Sequence, residues 1–322
     1  MFPNDAACAD FLFGLRYPSG FACPACGSTK AWPAGPLREM ICDGGHRTSI
    51  TAGTLMHRTR QPLQTWFHAA FLVSTLTPGI SALQFQRQLG LTRYETAFQM
   101  LHKLRSGLVD PERTPLAVEV EVDELYVGGV EEGRPGRGAL DKALVIGGVE
   151  VVRYEGKGKD GSLVEKMRAG RVRLNVIPDA AATTLVPWVQ KNVAAGAKVV
   201  TDGNASYNRL GSLGYLHEQV LATHKGEKTG HYLPLVHLIV SNLKRWLMGT
   251  HKGAVLPKHL QAYLNEFTFR FNRRFWRGPA FTRALGLAVS AEAWPEYDTL
   301  YASGTEDGWE HPDTRLNADA SR

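Results

Sequence analysis

From residue 118 the chain reads VEVEVDELYVGG, in which valines at 118, 120 and 122 alternate with Glu119, Glu121 and Asp123. A period of two predicts a β-strand with its valine face on a core and its carboxylates on the other face. Strands are also predicted in ALVIGGVEVV (143–152), GRVRLNVIP (170–178) and AKVVTDG (197–203), with a helix in ATTLVPWVQKNVAAG (182–196). The resulting order is β-β-β-α-β.

Helical spacing dominates elsewhere. In PLQTWFHAAFLVSTL (62–76) Pro62 suits a first turn, and Trp66, Ala69, Ala70 and Val73 form an apolar stripe. In GISALQFQRQLGLTRYETAFQMLHKLRSGL (79–108) Ser81 can cap a helix that stops at Gly90. Thr92 can cap a second, with Glu95 three residues on as a capping box. Two short helices joined at LGLT make a helix-turn-helix candidate that would turn Arg93, Tyr94, Thr96 and Gln99 to the major groove. LPLVHLIVSNLKRWLMGTH (233–251) places His237, Ser241, Lys244 and Met248 on one helical face.

Residues 1–60 carry the four cysteines. Such clustering in a chain without a secretory pattern points to metal rather than disulfides. In CPACG (23–27) two thiols can turn to one ion, and Cys42 follows at the separation of a zinc ribbon's second knuckle. Where a fourth cysteine is expected, at 45, stands Gly45, with His46 beside it. Cys23, Cys26, Cys42 and His46 are the expected zinc ligands, against a ribbon that has lost its metal. Cys8, in an apolar helical pattern, reads as a core thiol.

A formal net charge of +6 over 322 residues is compatible with a polyanionic partner, and its distribution says more than its total. Basic residues collect in HRTRQ (Arg58, Arg60), HKLR (Lys103), LKRW (Lys244, Arg245) and FRFNRRFWR (Arg270, Arg273, Arg274). The last patch reads equally as phosphate contact with base stacking or as a helix with its aromatics packed inward. His57, His102 and His251 read as DNA-facing or surface residues, and the GRPGRG loop (133–138) as a weak phosphate contact. No apolar run is long enough for a bilayer, and no signal peptide is visible, so a cytoplasmic, nucleoid-associated protein is expected.

Asp123 lies in the first predicted strand of its domain and Asp202 closes the fourth. In a mixed sheet of this order the two strands are neighbours, so the aspartates can meet and hold a divalent cation. His237 is the geometrical choice for a third ligand, because Asn242 is displaced from it by about 140° around the helix. Glu119, Glu121 and Glu124 read as solvated or as support for the strand.

CPACG, TSITAGTLMHRTR, VDELYVGG, VVTDG, VHLIVSNLKRWLMGTHKG and YLNEFTFRFNRR together resemble the transposases of bacterial insertion sequences, in the ISXO-like group. The resemblance runs from about residue 5 to 290. It implies a multidomain α+β chain: a zinc ribbon (1–60), a helix-turn-helix domain (61–109) and an RNase H-like mixed-sheet DDE nuclease (116–290), before a disordered tail (303–322). It also implies two Mg²⁺ or Mn²⁺ ions, with Asp123 bridging both, Asp202 and His237 each completing one, and Lys244 on a phosphate. Asn242 and Glu266 are rival third ligands. The implied activity is cleavage at the element's terminal inverted repeats and joining of the 3′-hydroxyl to target DNA, by a homo-oligomer without a membrane partner. A DNA-binding regulator that no longer cuts, and a host nuclease that cuts without joining, are the other classes.

Overall fold

The computed structural model describes residues 2–76, 78–128, 142–220, 233–252, 255–291 and 293–301. The expected tail at 303–322 and the GRPGRG loop lie outside them. The chain divides into two compact units, one of residues 2–111 with 273–301 and one of residues 112–272.

In the first unit, α1 (Asp5–Arg16) starts at Asn4, whose side chain accepts from the Ala7 amide at 2.9 Å. A three-stranded sheet follows, β1 (Ala31–Gly35), β2 (Glu39–Cys42) and β3 (Arg47–Thr48), in that order and antiparallel. Then come α2 (Leu63–Thr75), α3 (Ala82–Leu89) and α4 (Tyr94–Ser106). The expected stripe of α2 is buried, as is Cys8. Ser81 caps α3, accepting from the Gln84 amide, and Gly90 ends that helix in the left-handed region at φ 63°, where a residue without Cβ is unstrained. Thr92 does not cap α4. The cap residue is Arg93, with no side-chain bond to the helix, because the chain leaving Gly90 is still extended at Arg93.

The helices α8 (Arg277–Ser290) and α9 (Tyr297–Tyr301) also belong to this unit, so the stretch expected as one domain over 116–290 gives up its last helix. Composition explains it. Ala280, Ala284, Leu285, Ala288 and Val289 bury an apolar face, α8 packs against α1 and α2, and Phe281 joins the edge-on aromatic cluster of Phe2, Phe11 and Phe67.

The second unit is a five-stranded sheet, β4 (Glu119–Val127), β5 (Ala143–Lys157), β6 (Leu163–Ile177), β7 (Lys198–Thr201) and β8 (Leu216–Gln219), in the order β6-β5-β4-β7-β8. The first three run antiparallel, and β7 and β8 lie parallel to β4. The helix α5 (Ala182–Asn192) carries the crossover from β6 to β7, while α6 (Pro234–His251) and α7 (Pro257–Asn272) follow β8. The alternation in β4 sorts its side chains between two cores. Val120 and Val122 join Trp188 and Leu185 of α5, and on the other face Leu125 and Val127 join Val236, Ile239 and Leu243 of α6. The adjacent glycines of β5 admit both helices. A Cβ at Gly148 would meet Trp188 at 2.9 Å, and one at Gly147 would come within 3.4 Å of Val236.

Glu119, Glu121 and Glu124 are not solvated. Glu119 is paired with Arg153 and Lys198, and Glu124 is held by Tyr207. Glu121 is 4% exposed and accepts from the Leu235 and Val236 amides, both at 2.8 Å. These are amides of α6's first turn, which have no partner inside the helix. The helix brings none of its own, since Leu233 at its cap position offers no side-chain acceptor. A carboxylate of β4 therefore caps α6 across the core, at the end where a helix favours negative charge. Burial pushes the Glu121 carboxyl above its usual range, and the two amides oppose the shift. Glu121→Ala orphans both amides, and a loss of about 1–3 kcal/mol is expected, measured as a lower urea midpoint.

Candidate metal centres

The first candidate centre is the ribbon. Cys23, Cys26, Cys42 and His46 present ligand atoms that all lie within 4.8 Å of one another. Cys26 Sγ is 3.7 Å from Cys42 Sγ, which is 3.4 Å from His46 Nδ1. Backbone turns make the cluster: the Gly27 amide donates to Cys23 O at 2.8 Å and the Gly45 amide to Cys42 O at 2.9 Å. Gly45 takes φ 76°, so the position where a fourth cysteine was expected is a left-handed turn that delivers the next residue, His46. Three thiols and an imidazole at these separations suit tetrahedral zinc. One zinc per chain is expected by atomic emission, falling to near zero in Cys26→Ser and Cys42→Ser.

The second centre lies at the end of β4 and β7. Their parallel register pairs Glu119 with Lys198, Val120 with Val199 and Glu121 with Val200. Continued by two residues, it sets Asp202 beside Asp123. From α6, His237 brings Nε2 to 3.6 Å from Asp123 Oδ2. That nitrogen is enclosed and has no hydrogen-bond partner among the described residues.

Charge at this site is uncompensated. Burial, then the carboxylates of Asp202 and Glu124, push Asp123 up to about 7, although the Glu124 amide donates to its Oδ1 at 2.8 Å. Burial, then the nearby Lys244 ammonium, pull His237 down, which favours the neutral imidazole. Behind the aspartates, Asp202 Oδ1 accepts from the Asn204 amide at 3.0 Å, and Tyr207 donates its hydroxyl to Glu124. Burial, with Glu124 next, holds that phenol far above its usual range.

The remaining expected residues are dispersed. Lys244 and Arg245 are exposed on α6 and Asn242 is half-buried there. Glu266 is fully buried and takes Arg270 at 2.8 Å. Arg273 lies past the end of α7, half-buried with Asp110 and Arg283 near it. The Arg274 guanidinium sits 4.5 Å from the Phe275 ring centroid. Arg58, Arg60, Arg93 and Tyr94 are exposed, and Thr96 and Gln99 half-buried. Lys103 is buried instead, 5.7 Å from the Trp294 ring centroid and 3.7 Å from Glu296. His102 is 1% exposed, its ring tilted against Phe98 with centroids 4.3 Å apart. The last two turns of α4 are buried on every side, Arg105 included, which the basic run HKLR does not announce. Sequence reasoning missed Tyr207 and Asn204, for which a polar turn following VVTDG was the available signal.

A carboxyl whose folded-state pKa lies above its unfolded value binds its proton more tightly in the folded chain. Its contribution to stability is present below about pH 4 and is lost as pH rises through about 7. Asp123→Asn removes that loss. Without added divalent cations the variant is expected to melt at least about 4 °C above the parent chain at pH 8 and close to it at pH 4, by calorimetry.

Residues 115–272 match the model of the ISXO2-like transposase domain, and residues 3–36 match that of the transposase zinc-ribbon domain. No curated protein matches the sequence. Among solved structures, a chain of the simian T-cell lymphotropic virus intasome in complex with PP2A regulatory subunit B56 gamma aligns at 14% identity with a TM-score of 0.28. The alignment covers 57% of this chain and 63% of that one, a likeness too slight to carry the fold. No helix among the described residues is long and apolar enough to cross a membrane. With its two matched segments and its three-cysteine, one-histidine ribbon site, the chain belongs to the ISXO2-like transposases with an N-terminal zinc ribbon.

Proposed function

We propose that the chain cleaves DNA at the ends of an insertion sequence and joins the freed 3′-hydroxyl to target DNA, using a DDE-type centre of Asp123, Asp202 and His237 on an RNase H-like sheet. What supports this is a buried Asp123 in β4 whose carboxyl feels the charge of Asp202, one residue past β7, with the imidazole of His237 from α6 3.6 Å from it. The strand order, an antiparallel trio extended by two parallel strands, supports the RNase H-like reading.

The donor set fits divalent cations. A buried carboxylate that holds its proton near neutrality for want of positive charge is a site that gains by receiving one. Bound Mg²⁺ or Mn²⁺ would supply Lewis acidity to the phosphodiester and to the attacking water or hydroxyl. Asp123, Asp202 and His237 would hold the ions. His237 is suited to this by its depressed pKa, which favours the neutral imidazole, the form able to bind a metal ion. Lys244, two turns along α6, would meet a phosphate next to the reacting one. Glu266 is less suited as third ligand, since Arg270 already takes its carboxylate.

DNA would be gripped by sites outside the sheet. The α3–α4 pair, with its left-handed glycine turn, supports a helix-turn-helix reading in which Arg93 and Tyr94 approach bases. Arg58, Arg60, Arg245 and Arg274 would contact phosphates, while Lys103 is withdrawn from that role by burial. Processing two ends together would call for a homo-oligomer.

The test is cleavage and strand transfer of duplexes carrying the element's own ends in Mg²⁺ or Mn²⁺. Asp123→Ala, Asp202→Ala and His237→Ala are each expected to lower the rate more than about 100-fold, leaving DNA affinity in place. Full activity in His237→Ala, with loss in Asn242→Ala or Glu266→Ala, moves the third ligand. Tight binding without cutting by the parent chain makes the protein a DNA-binding regulator instead.

A further inference from the structure

The ladder between β4 and β7 stops short of the aspartates. Its last pair is Glu121 with Val200, and β7 ends at Thr201. Asp202 therefore stands one residue beyond the strand, in a turn that no β4 backbone bond holds. If the ladder alone placed it, its distance from Asp123 would vary with every motion of that turn.

Side chains hold the turn instead. Residues Ala205–Tyr207 form a 3₁₀ turn, capped by Asn204, whose Oδ1 accepts from the Ser206 amide at 3.0 Å. Asn204 also donates its own amide to Asp202 Oδ1 at 3.0 Å. Its side-chain Nδ2 reaches Glu124 Oε2 at 3.5 Å, and the Tyr207 hydroxyl donates to Glu124 Oε1. Ser206 ties the same turn to Ala180 O at 2.9 Å. Tyr207 is itself fully buried in the α5-side core, beside Val120 and Val122, so its ring cannot shift without opening packed apolar contacts.

Glu124 follows Asp123 directly, and alternation in β4 sends the two side chains to opposite faces. One projects toward the α6 side. The other is spent on the turn that carries Asp202. We infer that Glu124, Tyr207 and Asn204 form a clamp that sets the separation of Asp123 and Asp202, and that all three are positioning residues rather than ligands. The inference rests on the reading of those aspartates as a divalent-cation site.

Its consequences differ from those of a purely structural bond. Tyr207→Phe keeps the ring in the core and deletes one hydroxyl, so folding should survive while the aspartate pair loosens. Mn²⁺ binding to the full-length, zinc-loaded protein, followed by titration calorimetry, is expected to weaken about tenfold in Tyr207→Phe and in Glu124→Gln, within the range for groups that orient metal ligands. The double variant should weaken binding by less than the product of the single effects, because both changes act on the Tyr207–Glu124 contact. The half-saturating Mn²⁺ concentration for end cleavage should rise by the same factor, while affinity for duplex DNA stays within about twofold.

Equal Mn²⁺ affinity in parent, Tyr207→Phe and Glu124→Gln overturns the clamp, as does additive weakening in the double variant. Should Tyr207→Phe fail to fold, Asn204→Ala carries the same expectation through the other oxygen of Glu124. A parent chain that binds no Mn²⁺ at this site, with Asp123→Ala indistinguishable from it, overturns the metal reading itself.

Discussion

The carboxylate of Glu121 on the first turn of α6 is the contact on which the geometry of the five-stranded unit hangs. It joins the central strand to the start of a helix 114 residues later in the chain, and it does so two residues before Asp123. With the helix start pinned there and α6 lowered onto Gly147, a residue one turn in has to fall near Asp123. His237 is that residue. The bond is internal and short-ranged, and it turns a distance in sequence into a coordinate in space.

The crowding of acids along β4 then has a division of labour. Glu119 is neutralised by Arg153 and Lys198, Glu121 by helix amides, and Glu124 by a phenol and an amide. At Asp123 burial is joined by the charges of Asp202 and Glu124, and its pKa rises furthest among them, to about 7. A protein that compensates each neighbouring carboxylate but leaves one buried and opposed by another has concentrated negative potential at one point. That concentration is costly to the empty fold and favourable to a cation, the usual relation between stability and function at such sites.

The ribbon achieves its cluster by different means. Turns at Gly27 and Gly45, local in sequence, gather three thiols and an imidazole, so spacing alone was enough to find them. The proposed nuclease centre would draw on residues 123, 202 and 237, and no local rule brings those together.

Periodicity and punctuation carried much of the fold. The valine alternation of β4, the helix over 233–251, the stop at Gly90, the ribbon ligands and the adjacency of β4 and β7 are all readable from residue type and spacing, because each depends on local sterics or on a topological rule of short range. What could not be read is which face of an element would be covered. Lys103 and His102 look like a basic surface in the string and are core in the fold, α8 leaves the sheet for α1 and α2, and the glutamates of β4 exchange solvent for partners in β5, β7, α6 and the turn after Asp202. Burial and pairing of this kind depend on contacts between residues a hundred positions apart, whose energies exist only once the layers have closed.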